Sequence, residues 1–180
     1  MTQVDSSADT VADAVRTGIL PGRVWLYSNY NCNLTCGYCL TESSPHRERR
    51  LLTAELMIRV AREAAELGFT DLGVTGGEPF LLPWLTPTVI EMAASLPVVV
   101  NTNGTLFAGD RIDQVARLAA FDVALQISLD SHLPDLNDEA RGPGNFETVV
   151  KAVPRSSSEA WRSASLRPPP GTSTIPISNP

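Results

Sequence analysis

The sequence has few basic residues, and it lacks both a long apolar run and an export signal. It contains 14 Lys and Arg residues against 20 Asp and Glu, so its formal net charge is −6 over 180 residues. A chain without a net basic field is a poor partner for nucleic acid. No apolar run approaches the roughly 18 to 20 residues that span a bilayer. The N-terminus, MTQVDSSADTVADAV, is acidic where a secretory signal is basic and then apolar. We therefore expect a cytoplasmic protein that binds neither nucleic acid nor membrane.

Cysteine and histidine are also scarce, with three Cys and two His in the whole chain. The three cysteines all lie within eight residues, from Cys32 to Cys39. An odd number of clustered cysteines in a chain with no export signal argues against a disulfide framework. Metal chemistry is the interpretation that this pattern favours.

What the sequence does contain is an alternation of short β-branched runs and amphipathic segments of helical length. The length allows one compact domain, and 43% hydrophobic residues are enough for a core. Each run is short and apolar enough to be buried on both faces of a sheet. The four predicted strands are Arg23–Ser28, Asp71–Gly76, Val98–Asn103 and Val123–Asp130.

Helices are predicted after each of these strands. Thr53 is a suitable N-cap for the first helix, whose apolar residues repeat at helical spacing until Gly68 closes it. The next two helices are predicted over Trp84–Ser95 and Asp110–Ala120, and Asn145 begins a fourth. This order predicts an α/β fold, a partial TIM-type barrel of about four parallel βα units with right-handed crossovers.

The two ends of the chain differ from this alternating region. Residues 1–22 form a polar leader, and residues 23–153 form the predicted core domain. Residues 154–180 contain six prolines and seven serines, and we expect this tail to be disordered. Four βα units do not close an eight-stranded barrel, and they leave an edge strand that a longer chain would cover. We therefore expect a shortened protein whose natural reading frame is interrupted near Val153.

The cysteines are spaced C-x3-C-x2-C directly after the first predicted strand. A structural zinc site uses four ligands, but the chain has no fourth cysteine, and the nearest histidine, His46, follows Cys39 by seven residues. A four-iron cluster held by three thiolates instead leaves one iron open to a ligand from outside the protein. The spacing alone leaves both kinds of metal centre open.

These cysteines, with an aromatic residue before the third, resemble the signature C-x3-C-x-aromatic-C of the radical S-adenosylmethionine (SAM) superfamily. Later segments resemble its GGEP, NTNG and SLD motifs in the same order. A final Arg-Gly resembles the RG stretch of members that mature peptides and cofactors, the SPASM-like and molybdenum-cofactor-type enzymes. The resemblance covers about Val24 to Lys151. The matching residues are Cys32, Cys36, Tyr38, Cys39, Gly76 to Pro79, Asn101 to Gly104, Ser128 to Asp130, and Arg141 with Gly142.

The resemblance implies an enzyme with two cofactors, a 4Fe-4S cluster and SAM. In the family, the amino and carboxylate groups of SAM chelate the open iron. The reduced cluster cleaves SAM to methionine and a 5'-deoxyadenosyl radical, which abstracts a hydrogen atom from the substrate. By this resemblance Cys32, Cys36 and Cys39 hold the cluster, and Tyr38 lies against the adenine. The implied partners are an unknown substrate, either a peptide or a small molecule such as a cofactor precursor, and a reductant such as flavodoxin or ferredoxin.

By the same resemblance, the motif after the second strand receives the methionine end of SAM. Gly76 and Gly77 let the backbone turn and approach the cofactor without a Cβ in the way. Glu78 would accept a charge-assisted hydrogen bond from the ammonium group of SAM, and Pro79 completes the motif. Taken alone, the same residues describe an ordinary loop between a strand and a helix.

Further candidates for cofactor binding lie at or beyond the carboxyl ends of the third and fourth strands, the edge at which parallel sheets build their sites. Asn103, with Thr102, would contact SAM or substrate, although a turn-forming Asn-Gly pair explains it nearly as well. Ser128 would contact the SAM ribose or carboxylate, and Asp130 is equally suited to capping the next loop. Arg141 would pair with the SAM carboxylate, and a solvated surface arginine is an equal alternative.

The charged segment from Glu42 to Arg50 is predicted to be a mobile loop beside the cluster. Its basic residues would meet an acidic substrate or an electron donor, or the segment is simply solvated. Two alternatives to an active enzyme stay open: an iron-sulfur-binding fragment without turnover, and a zinc-binding interaction module.

Overall fold

The computed structural model describes residues 6–155, and its central feature is one parallel sheet of four strands. The strands are β1 (Arg23–Tyr27), β2 (Asp71–Thr75), β3 (Val98–Thr102) and β4 (Val123–Ile127). They lie side by side in chain order, and every neighbouring pair is parallel. All four strands begin at the predicted residue and end one to three residues earlier than predicted. The partial TIM-type barrel of four parallel strands alternating with helices is therefore confirmed.

Six α-helices occur in the described residues, and four of them were predicted. They are α1 (Ser6–Arg16), α2 (Ala54–Glu66), α3 (Leu85–Met92), α4 (Asp110–Ala116), α5 (Pro134–Arg141) and α6 (Asn145–Arg155). Short 3-10 helices cover Pro79–Leu81 and Arg117–Ala120. The predicted third helix is thus α4 with a tighter last turn, and the fourth begins at Asn145 as predicted.

The cap of α2 behaves as its sequence predicts. The Thr53 side chain accepts a hydrogen bond from the Leu56 backbone N–H at 3.2 Å, which satisfies one of the free donors at the start of the helix. Gly68, with a φ of +86°, ends the segment in the left-handed region that favours glycine. The apolar stripe of α2 is buried in the core through Met57, Ala61 and Ala64.

The core lies between this helical layer and one face of the sheet. Strand residues alternate between the two faces. The core face carries Leu26 of β1, Leu72 and Val74 of β2, and Val98 and Val100 of β3, all buried. These side chains share the core with residues of α2 and α3. Because the strands are all parallel, their carboxyl ends lie at one edge. The loops that follow the strands are built on that edge.

The prediction that every strand is buried on both faces is wrong for the two outer strands. On β1, Trp25 and Tyr27 are 44% and 47% exposed, and on β4, Gln126 is exposed. The reason is topological, since β1 and β4 are the edges of the sheet and have a strand on one side only. The central β2 is buried over Asp71–Val74, as predicted.

Two helices were not predicted. The polar leader contains α1, which is amphipathic but carries no strong start signal. The second, α5, has the usual signals: Pro134 at its first position, Asp135 in its first turn, and Gly142 just after its end. The helix was not predicted because it has few apolar residues and therefore no clear helical repeat.

No helix in residues 6–155 combines the length and the apolar character needed to cross a membrane. The helix α6 includes the first two residues of the predicted disordered tail. The rest of that tail, residues 156–180, lies outside the described residues.

The loop after β2 packs directly on the backbone of the loop after β1. We call the loop after β1 the cysteine loop, because it carries Cys32, Cys36 and Cys39. The Gly77 N–H donates to the Asn29 carbonyl at 2.9 Å, and the Glu78 N–H donates to the Asn31 carbonyl at 2.8 Å. A Cβ at Gly77 would lie 2.0 Å from the Asn31 carbonyl oxygen, so only glycine fits there. Gly76 adopts a φ of +149°, which also favours glycine. The two glycines therefore hold the loop after β2 against the cysteine loop.

Because of this contact, a glycine-to-alanine substitution should destabilise the fold more at Gly77 than at Gly37. Gly77→Ala should lower the free energy of unfolding by about 1–3 kcal/mol or more, because a backbone carbonyl cannot move aside as a side chain can. Gly37→Ala is the matched control, since a Cβ there meets no atom within 4 Å, and its cost should stay below about 0.5 kcal/mol. Urea unfolding of the metal-free chain measures both. Equal losses in the two variants would contradict the proposed packing.

Candidate functional site

The residues predicted for the site meet at one edge of the sheet, where the carboxyl ends of the four strands lie. The cysteine loop follows β1, the glycine motif follows β2, and two further segments follow β3 and β4. Loops from neighbouring parallel strands converge at this edge, which is why α/β folds bind ligands there. The edge carries Cys32, Cys36, Tyr38, Cys39, Gly76, Gly77, Glu78, Pro79, Asn103, Ser128 and Asp130, and Arg141 contacts it from the end of α5.

The three cysteines are free thiols, and two of them receive hydrogen bonds at sulfur. The Leu34 backbone N–H donates to Cys32 Sγ at 3.4 Å, and Asn103 Nδ2 lies 3.7 Å from the same sulfur. The Ser43 backbone N–H donates to Cys39 Sγ at 3.4 Å. N–H groups directed at sulfur stabilise the thiolate, which is the form that binds metal.

The three thiols differ in how readily they ionise. Burial raises the pKa of Cys32 and the pKa of Cys36 above the ordinary value for cysteine. Burial acts on Cys39 as well, but hydrogen bonds involving Thr41 and Ser43 outweigh it and lower the pKa of that thiol. Cys39 is therefore the readiest thiolate, whereas Cys32 and Cys36 gain most from a cationic centre that stabilises their charged form.

The donor set is three thiols on one loop, and the chain has no fourth cysteine. A structural zinc site uses four ligands. In a 4Fe-4S cluster each cysteine binds a different iron atom, so the sulfurs stand apart. The spacing of three thiols along one loop suits that arrangement.

The carboxylate of Glu78 is fully buried and joins two loops of the site. Its Oε1 accepts hydrogen bonds from the Phe80 N–H at 3.0 Å and the Thr102 hydroxyl at 2.8 Å, and its Oε2 accepts one from the Asn103 N–H at 2.8 Å. Burial raises the pKa of this carboxyl, and the three hydrogen bonds oppose the rise. A carboxylate has about four acceptor positions. The protein's own donors therefore take most of them, the side chain is fully buried, and the contact with the SAM ammonium group stays a prediction.

Asn103 joins the cysteine loop to the loop after β3, through two partners that the sequence analysis missed. Its Nδ2 donates to Asn33 Oδ1 at 2.9 Å, and its Oδ1 accepts from the Thr105 N–H at 2.9 Å and from the Thr105 hydroxyl at 2.7 Å. Asn33 Nδ2 in turn donates to the Thr105 hydroxyl at 2.8 Å. The sequence features that could have indicated these partners are Asn33, the polar residue directly after Cys32, and Thr105, which follows the Asn-Gly pair.

Tyr38, Asp130 and Arg141 form one connected group. The Tyr38 hydroxyl donates to Asp130 Oδ2 at 2.5 Å, and Arg141 donates to Asp130 Oδ1 at 2.8 Å. The Arg141 guanidinium carbon also lies 5.7 Å from the centre of the Tyr38 ring. Burial works to raise the pKa of Asp130, but the hydrogen bonds from Arg141 and Tyr38 outweigh it and lower that pKa. The group ties the cysteine loop to the ends of β4 and α5.

The remaining predicted residues have simpler surroundings. The Ser128 backbone N–H donates to the Thr102 carbonyl at 2.9 Å, which places Ser128 beside the last residue of β3. Pro79 is buried and begins a 3-10 helix. The charged segment from Glu42 to Arg50 is attached to the cysteine loop, because Ser44 forms a bridge with Asn31.

Comparison with known proteins gives consistent results. Residues 26–166 match the sequence model of the Radical SAM superfamily. The chain is 33% identical over 128 residues to a GTP 3',8-cyclase of Syntrophomonas wolfei, covering 68% of this chain and 38% of the relative. It is 32% identical over 139 residues to mycofactocin maturase MftC of Mycolicibacterium smegmatis, covering 76% of this chain and 34% of the relative. The chain thus spans little more than a third of the length of these relatives.

Solved structures share the fold. Streptococcus suis SuiB bound to S-adenosylmethionine superposes with a TM-score of 0.58 at 22% identity, over 78% of this chain and 33% of SuiB. The complex of SuiB with its precursor peptide SuiA gives a TM-score of 0.57 at 22% identity, over 77% of this chain and 31% of SuiB. The family model covers most of the chain, including all three cysteines, and the chain therefore belongs to the radical SAM superfamily of enzymes, which use a 4Fe-4S cluster and SAM.

Proposed function

We propose that this chain is a radical SAM enzyme, or the N-terminal part of one, and that it holds a 4Fe-4S cluster through Cys32, Cys36 and Cys39. The observation that carries the proposal is the cysteine loop itself: three free thiols, two with N–H donors at sulfur, beside the GGEP loop at the carboxyl edge of the sheet. When bound and reduced, such a cluster supplies one electron to SAM, which splits into methionine and a 5'-deoxyadenosyl radical for hydrogen abstraction from a substrate.

The chain's own residues would bind and orient the cofactor. Tyr38 offers a half-exposed ring as a surface for the adenine. Gly77 is a proposed backbone contact for the methionine end, and the space that its Cβ would take is filled by the Asn31 carbonyl. Glu78 is the proposed partner of the ammonium group, and its three hydrogen bonds from the protein fix the loop. Ser128 and Arg141 are the proposed contacts for the ribose and the carboxylate. Gly76, Pro79, Asn103 and Asp130 complete the proposed cofactor site.

The substrate class is suggested by the sheet face opposite the helical core. On this face Tyr27 pairs with Thr75, and Asn101 pairs with Gln126, so the row nearest the cysteine loop is polar and uncharged. The Asn101 Oδ1 atom is buried without a hydrogen-bond partner. An unpartnered buried acceptor is costly, and a donor from a bound molecule would satisfy it.

The charges on this face argue against a polyphosphate. Among the four strands, the one cation on the face is Arg23, and its charge is already matched by an ion pair with Asp71. A triphosphate needs several unpaired Lys or Arg side chains. The face instead offers the half-exposed aromatic rings of Trp25 and Tyr27 on β1, and the amide groups of Asn101 on β3 and Gln126 on β4. We therefore favour a neutral peptide segment as the substrate over a nucleotide, and SuiB, bound to the precursor peptide SuiA, is a neighbour in fold.

The electron donor is proposed to be a small acidic protein such as flavodoxin or ferredoxin. The segment after the cysteine loop carries three exposed arginines, and Arg47 and Arg50 are each paired with a nearby glutamate. Arg49 adds a further exposed cation between them. A donor with an acidic surface would meet Arg49 beside the cysteine loop.

The alternative is a chain that binds the cluster but has no turnover. It is favoured by one observation, that β1 and β4 are open edges of the described sheet. The two functions differ in a single product, 5'-deoxyadenosine.

Loss of a cluster ligand should abolish the activity. The chain is reconstituted anaerobically with iron and sulfide, reduced with dithionite in the presence of SAM, and tested by chromatography for 5'-deoxyadenosine. We expect about four irons per chain and formation of 5'-deoxyadenosine, with both lost in Cys36→Ala. Leu40→Ala is the control for iron content, because that side chain is fully exposed. A full 4Fe-4S spectrum in Cys36→Ala would refute the ligand assignment, and iron without product in the native chain would favour the inactive fragment.

The neutral sheet face predicts that GTP is not the substrate. Addition of GTP to the reduced, SAM-containing chain should leave the yield of 5'-deoxyadenosine unchanged and should leave the GTP intact, since the face offers no unpaired cation for a triphosphate. Chromatography of the nucleotides after the reaction measures both quantities. Consumption of GTP with a rise in 5'-deoxyadenosine would contradict the peptide assignment.

A further inference from the structure

Three polar side chains beside Cys32 form a closed ring of hydrogen bonds. Asn103 Nδ2 donates to Asn33 Oδ1 at 2.9 Å, Asn33 Nδ2 donates to the Thr105 hydroxyl at 2.8 Å, and that hydroxyl donates to Asn103 Oδ1 at 2.7 Å. Each side chain therefore donates one hydrogen bond and accepts one within the ring. Neither Asn33 nor Thr105 is part of the proposed cofactor site.

The ring fixes the direction of the Asn103 amide. A hydroxyl has one hydrogen, and the Thr105 hydroxyl, which accepts from Asn33, gives that hydrogen to Asn103 Oδ1. The Thr105 backbone N–H donates to the same oxygen at 2.9 Å. Two donors therefore hold Oδ1 on the side of Thr105, and Nδ2 is turned towards the cysteine loop.

The amide turned in this way directs an N–H group at a cysteine sulfur. Asn33 accepts from Nδ2, and Cys32 Sγ, which lies 3.7 Å from Nδ2, is the acceptor for its second hydrogen. Asn103 and Cys32 are 7% and 9% exposed, so water competes little for this contact. The opposite orientation of the amide would place a carbonyl oxygen, with its partial negative charge, against the same sulfur.

The backbone on both sides of Asn103 is fixed as well. The Asn103 N–H donates to Glu78 Oε2 at 2.8 Å. Gly104 adopts a φ of +73°, which turns the chain so that Thr105 returns to the Asn103 side chain. Since the backbone is held in this way, the bonds of the ring decide the direction of the amide.

We propose that Asn33 and Thr105 are positioning residues, which orient the Asn103 amide so that its N–H group acts on the Cys32 sulfur when a cluster is bound there. The inference rests on the proposed function, because it needs Cys32 as a cluster ligand. Hydrogen bonds to the sulfurs are one of the factors that set the reduction potential of such a cluster. Reduction adds one negative charge, which the positive end of an N–H dipole stabilises. The ring should therefore raise the reduction potential.

The first test is a redox titration of the reconstituted chain without SAM, in a double-mutant cycle. Thr105→Val removes the hydroxyl and keeps the shape of the side chain, so its midpoint potential should be more negative, whereas Thr105→Ser should stay close to the native potential. Asn103→Ala should shift the potential in the same direction and at least as far. Thr105→Val should add no further shift in the Asn103→Ala background, because Thr105 acts through that amide.

The matched control is Thr148→Val, which also removes a threonine hydroxyl. The Thr148 hydroxyl donates to the Gly144 carbonyl at 2.8 Å and lies on the exposed surface of α6, so this variant should have the native potential. Asn33→Ala opens the ring from the cysteine loop and should also give a more negative potential. An unchanged potential in Thr105→Val, or an equal shift with and without the Asn103 amide, would overturn the proposal.

A second measurement needs no cluster and tests the ring itself. In heteronuclear NMR spectra of the metal-free chain, the side-chain amide protons of Asn103 should exchange with water several-fold more slowly in the native chain and in Thr105→Ser than in Thr105→Val. Equal exchange rates in the three proteins would overturn the proposed orientation, even if Thr105→Val takes up no iron. A native chain that takes up no iron contradicts the proposed function, and this result is seen before any potential is compared.

Discussion

The buried carboxylate of Glu78 is the interaction on which the rest of the site depends. Its backbone N–H is bonded to the cysteine loop, and its side chain accepts three hydrogen bonds, two of them from the last residue of β3 and the residue that follows it. Charge-assisted hydrogen bonds of this kind are the strong ones, and a buried carboxylate without them would be very costly. Three neighbouring loops are therefore held together by one charged residue. The glycines before it are needed because no side chain fits between these backbones.

The site is organised in two halves with different physical tasks. On one side, Glu78 and Asn103 fix the backbone around Cys32 by hydrogen bonds among buried groups. On the other side, the group of Tyr38, Asp130 and Arg141 brings opposite charges next to Cys36. The first half fixes the backbone around Cys32, and the second fixes Tyr38, which lies between Cys36 and Cys39 in the sequence.

The sequence predicted the parts of this molecule that depend on local patterns. The cysteine spacing, the starts of the four strands and the Thr53 cap follow from neighbouring residues, and all the predicted site residues meet at one edge of the sheet because parallel strands end there. The partners of Asn103 were not predictable, since Asn33 lies 70 residues away in the chain and any loop asparagine could fill that role. The exposure of Trp25 and Tyr27 depends on which strands lie at the edges, and sequence periodicity does not report strand order.

The central claim is that three cysteines hold a cluster with one iron left open for SAM. EPR spectroscopy of the reconstituted, dithionite-reduced chain, before and after addition of SAM, tests it most directly. The account predicts the signal of a reduced 4Fe-4S cluster whose g values change when SAM binds. A cluster signal that SAM leaves unchanged, or a chain that shows no cluster signal at all, would contradict it.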